Sequence, residues 1–68
     1  MNETDKEILI AFAENNMNVC ETARVLIYHR NNVDYHLKRI EEKTGLNPKN
    51  FFNLVKLLQK EGILKCQM

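Results

Sequence analysis

The sequence predicts an all-α domain of four short helices, and three observations carry that expectation. Apolar residues recur every three or four positions along most of the chain, the spacing of one helix face. No stretch alternates apolar and polar residues over a strand's length. Only two glycines and one proline interrupt the 68 residues, and each stands where a helix would begin or end. A chain this short builds one core, so residues 1–68 are read as a single domain.

The four helices are placed at about 4–15, 19–26, 30–44 and 48–61. Thr4 and Glu7 have the S/T-x-x-E spacing of a capping box, and Ile8, Leu9, Phe12 and Ala13 follow at helical spacing. Asn15, Asn16, Met17 and Asn18 stop this helix, because asparagine competes for backbone hydrogen bonds. Asn18 with Glu21 repeats the cap and opens a second helix through Ala23, Val25 and Leu26. That helix is too short to stand alone and needs packing. The third runs from near His29 to Thr44, with Gly45 as the left-handed residue after its end. Asn47 as N-cap and Pro48 in the first turn open the fourth, which Gly62 closes.

Charge is lopsided beneath a net +1. Residues 1–23 hold one base against five acids, net −4; residues 24–68 hold nine bases against four acids, net +5. Such a chain can turn a basic face to a polyanion. The acidic N-terminus lacks a secretory signal and no apolar run approaches a membrane span, so a cytoplasmic protein is expected. Cys20 and Cys66, without a CxxC pattern, are read as free thiols.

The stretch HRNNVDYHLKRI, His29 to Ile40, concentrates the candidate functional residues. Val33, Leu37 and Ile40 form its apolar side; Asn31, Asn32, Tyr35, Lys38 and Arg39 lie roughly opposite, with Asp34 at the edge. A short helix followed after about three residues by one bearing long donors on its outer side is a helix-turn-helix. Its second helix enters the major groove of DNA. His29 and His36 lack the further ligands of a metal site, and are read as a helix-start and a surface residue. Asp34 and His36, two residues apart, point away from each other on a helix. The chain has no serine and no glycine-rich loop, and 68 residues offer little room for a substrate pocket. No enzyme, no cofactor and no small-molecule substrate are expected.

The segment NVCETARVLIYHRNNVDYHLKRIEEKTGL, Asn18 to Leu46, resembles the C-terminal helix-turn-helix of the purine catabolism regulator and carbohydrate diacid regulator family. The matching residues are Thr22, Ala23 and Arg24, then His29, Arg30, Asn31, Val33, Tyr35, Leu37, Arg39, Ile40, Glu41, Thr44 and Gly45. A more distant likeness to the factor for inversion stimulation rests on Ala23, Arg24, Arg30, Val33 and Leu37. The chain departs from the pattern where Asn32 replaces threonine, and where Asp34 and His36 replace arginine. Ile27-Tyr28 fills a turn where many such motifs carry glycine. Regulators of the family carry this domain at the end of a much longer chain with a sensory region, so these 68 residues are read as an isolated domain or a stand-alone product.

The resemblance implies sequence-specific binding of double-stranded DNA by a transcriptional regulator, with helix 30–44 in the major groove. Arg24, His29, Arg30, Asn31, Asn32, Tyr35, Lys38 and Arg39 are the candidate DNA contacts. Arg24 has Glu21 as a competing partner, and Arg39 has Glu42 beside it. The alternative is a protein–protein module that kept this fold without DNA binding. The fourth helix carries an apolar arc of Phe51, Phe52, Leu54, Val55, Leu57 and Leu58, with Ile63 and Leu64 beyond. The arc exceeds the stripe that one-sided packing needs, so a homodimer through the fourth or first helix is expected.

Overall fold

Four helices fold around the first of them in the computed structural model, which describes residues 2–63. Helix α1 spans Glu3–Glu14, α2 Val19–Leu26, α3 Arg30–Thr44 and α4 Phe51–Lys60. The all-α expectation holds, and the bounds of α2 and α3 agree with the sequence reading.

The start of α1 differs from it. Asn2 is the N-cap, its Oδ1 accepting the Asp5 N–H at 2.8 Å, and Thr4 is an exposed residue inside the helix. Asparagine is at least as good a cap as threonine. The earlier start also leaves Glu7 free to accept a hydrogen bond from the Tyr28 hydroxyl at 3.0 Å. At the other end, Asn15 donates to Ala11 O through both its backbone and its side chain. Asn16 and Met17 then take the left-handed conformation, with φ of 58° and 60°.

Asn18 caps α2 as expected, and its carbonyl also accepts from the buried Thr22 hydroxyl at 2.7 Å. Ile27 ends α2 at φ 59°, and Tyr28 N–H reaches back to Ala23 O at 2.8 Å. This backward bond is the Schellman closure. It is built on a β-branched residue that is 90% exposed. His29 caps α3, its Nδ1 accepting the Asn31 N–H at 3.2 Å, and Gly45 closes α3 at φ 76°.

The start of α4 also differs from the sequence expectation. Asn47 does not cap it, and Pro48 is not in its first turn. Asn47 instead closes a turn: its Oδ1 accepts from Lys49 N–H and its carbonyl from Asn50 N–H, both at 3.0 Å. Pro48 is buried, and Asn50 is the N-cap, accepting from Asn53 N–H at 3.2 Å. The cap thus lies three residues later than expected, and Pro48 packs inward between the two asparagines. Helix α4 ends at Lys60, followed by Glu61 and a left-handed Gly62.

The core joins Ile8, Leu9 and Phe12 of α1, Ala23 of α2, Val33, Leu37 and Ile40 of α3, and Leu54, Leu57 and Leu58 of α4. Helix α1 touches each of the other three, and α2 packs on α3. Among the described residues, α4 approaches only α1 at the level of the backbone. Its apolar arc therefore divides. Leu54, Leu57 and Leu58 are core, whereas Phe51 and Phe52 stand 60% and 73% exposed. Leu64 and Cys66 lie outside the described residues; Cys20 is exposed.

Candidate nucleic-acid interface

Burial of Val33, Leu37 and Ile40 fixes the rotation of α3, and with it the identity of the outer face. Asn31, Asn32, Lys38 and Tyr35 are exposed there, as the sequence reading placed them; Tyr35 is 57% accessible. Its ring meets the His36 imidazole edge-on at 5.4 Å. The long exposed side chains Arg30, Asn31, Asn32, Tyr35 and Lys38 thus occupy the first nine residues of a fifteen-residue helix. Glu41 and Glu42 lie beyond them, in its last third.

His29 stands at the mouth of this face. Its Nδ1 accepts the capping bond, so in the neutral ring the proton resides on Nε2, available as a donor. Arg30 and Lys38 form no ion pair among the described residues.

Arg24 is otherwise engaged. Its Nε and Nη2 donate to the two Glu21 oxygens at 3.0 and 2.6 Å. That fork holds the Glu21 carboxyl below its ordinary pKa and raises that of Arg24, in both cases chiefly through the hydrogen bonds. Both side chains remain open to solvent. Arg39 leans inward. Its Nη2 is 4.0 Å from Asp5 Oδ2, and its Nε is buried without a hydrogen-bond partner. Glu42 is not its partner.

The acceptor of that arrangement, Asp5, is the residue sequence reasoning missed. It is fully buried, and its Oδ1 lies 2.8 Å from His36 Nδ1, whose side chain is 14% exposed. His36 is therefore not the surface residue that its spacing suggested. A signal existed: Asp5 falls on the Ile8, Leu9, Phe12 stripe, and an acid on an apolar stripe requires a partner. The second missed residue is Lys49, whose Nζ lies 3.0 Å from Asp34 Oδ1. Fifteen residues separate the two, and nothing local announces the pair.

The family model described as PucR C-terminal helix-turn-helix domain matches residues 6–58 of the chain, from the first turns of α1 to near the end of α4. No curated protein and no solved structure matches it. No helix among the described residues is long and apolar enough to cross a membrane.

Proposed function

Because the chain belongs to the PucR C-terminal helix-turn-helix domain family, we propose that it binds double-stranded DNA sequence-specifically as a transcriptional regulator, with α3 in the major groove. The observation that carries this reading is the outer face of α3. Its N-terminal two turns present Arg30, Asn31, Asn32 and Tyr35 to solvent, backed by a core that holds their rotation fixed. An N-terminal position on a recognition helix is where side chains meet base edges.

The chemistry divides among the residues. Asn31 and Asn32 carry amides able to pair bidentately with an adenine edge. Arg30, Lys38 and the His29 Nε2 supply donors suited to phosphate, and the Tyr35 hydroxyl adds another. Arg24 reaches a phosphate only by exchanging it for Glu21. Arg39 stands at the margin, half committed to Asp5. A bare helical domain of this kind needs no cofactor, and the reading places the protein in the cytoplasm, with DNA.

A salt titration tests it. Affinity for random duplex falls steeply as salt rises from ~50 to ~200 mM, and a selected site is held about 10³-fold more tightly. Lys38→Ala weakens all duplexes alike and lowers the log–log salt slope by about one. A chain that retains no duplex at ~50 mM salt refutes the reading.

The exposed Phe51 and Phe52, stacked edge-to-face at 5.6 Å, favour a second element: pairing of two copies through α4. Phe51 lines a shallow, mainly apolar groove with Ala13, Met17, Leu54, Val55 and Leu58. Two-fold pairing would set recognition helices about 34 Å apart, one DNA turn. The rival reading, a protein-binding module without DNA affinity, rests on the same aromatic pair.

A further inference from the structure

We propose that Lys49, from the loop between α3 and α4, is a phosphate-contacting residue that pairs with Asp34 of the recognition helix when DNA is absent. The proposal rests on the DNA-binding reading of α3 and extends its contact surface to a part of the chain outside the helix-turn-helix.

Asp34 is the one acid among the first eleven residues of α3, an unfavourable choice on a surface meant for a polyanion. It does not stand bare. Lys49 Nζ hydrogen-bonds its Oδ1 at 3.0 Å, and both side chains remain about half exposed. On the helix Asp34 follows Arg30 by four residues and precedes Lys38 by four, so the three form one row. Lys49 completes that row from the side. The four groups together carry three positive charges and one negative.

The loop that delivers Lys49 is fixed. Pro48 beside it is buried, the Lys49 N–H is tied to Asn47 Oδ1, and the Asn50 N–H closes the turn on Asn47 O. The ammonium therefore hangs from an anchored backbone beside a notch lined by Asp34, Lys38, Glu41 and Asn47. An exposed ion pair is weak, so the lysine can turn from carboxylate to phosphate at little cost. In this arrangement the charge of Asp34 is offset by a cation that phosphate can take over.

The test compares salt slopes for a random duplex across ~50 to ~200 mM salt, using wild type, Asp34→Asn, Lys49→Gln and the double variant. The decisive pair is Asp34→Asn against Asp34→Asn/Lys49→Gln, because neither carries an acid for the lysine to mask. A slope lower by about one in the double variant is expected, with Lys49→Arg keeping the wild-type slope. Equal slopes in that pair, with wild type binding normally, overturn the Lys49 contact and leave the α3 reading standing. Absence of binding by wild type overturns both. Both side chains are surface groups, and a thermal melt of each variant confirms folding.

Discussion

Asp5 Oδ1 and His36 Nδ1 lie 2.8 Å apart and join the first turn of α1 to the middle of α3. A carboxylate only accepts, so the His36 ring donates through Nδ1. Arg39 approaches the other Asp5 oxygen at 4.0 Å, too far for a hydrogen bond. One buried acid thus bonds His36 and faces Arg39, and α3 is held by polar as well as apolar contacts.

Removing His36 leaves a buried carboxylate with only the distant Arg39. His36→Ala is expected to destabilise the domain by about 3 kcal/mol, since breaking a buried pair strands a charge. Asp5→Asn costs less, because its amide oxygen still accepts from Nδ1 and no charge is stranded. His36→Arg, the residue common in the family, keeps the link to Asp5 and adds little to DNA affinity. Urea unfolding and duplex titration of the three variants check this order.

Ile27 adopts a left-handed conformation that costs a β-branched residue about 1–2 kcal/mol, and its side chain is almost wholly exposed. Ile27→Gly removes the strain and loses little burial. A gain of about 1 kcal/mol is expected, raising Tm by roughly 5 °C. A calorimetric scan measures it.

Pairing through α4 depends on which of its apolar residues are outside. Leu57 is fully buried, so Leu57→Glu unfolds the domain and says nothing about pairing. Phe52→Glu leaves the core intact and should convert a dimer to a monomer in sedimentation at ~0.1 mM protein. A wild-type monomer at that concentration, footprinting a single half-site, contradicts pairing.

The Tyr28 hydroxyl donates to Glu7, and this hydrogen bond, ahead of the nearby charge, raises the phenol above its ordinary pKa of 10.0. A group whose folded pKa is raised stabilises fully below the unfolded value and loses that contribution as pH climbs through the folded one. Glu21 has the opposite sign. Its lowered pKa contributes above the ordinary 4.5 and is lost as pH falls through the folded value. Tyr28→Phe should therefore flatten the alkaline limb of a stability–pH profile, and Glu21→Gln the acid limb, with small amplitudes because both groups are exposed.

Most of the fold was legible because local chemistry decided it. Asn18, His29 and Gly45 mark their helix ends with groups that act within a few residues, and Val33, Leu37 and Ile40 declare a face by spacing alone. The starts of α1 and α4 were misread where two candidate caps stood close together, Asn2 near Thr4 and Asn47 near Asn50. There Asn2 and Asn50 take the caps, with Asp5 bonded to His36 and Pro48 buried. The exposed residues of the α3 face followed from its wheel. Asp5–His36 and Asp34–Lys49 join residues 31 and 15 positions apart, and only the packing of helices brings such partners together.

On the proposed function, the outer face of α3 reads DNA sequence. An unbiased selection of bound duplexes from a random pool, run with wild type and with Asn31→Ala, tests it most directly. Wild type is expected to enrich a defined motif, bound about 10³-fold more tightly than random duplex. Asn31→Ala should lose preference at one base pair of that motif, at a cost of about 1–3 kcal/mol. A pool that wild type leaves unenriched, or an Asn31→Ala variant that selects the same motif with the same affinity, contradicts it.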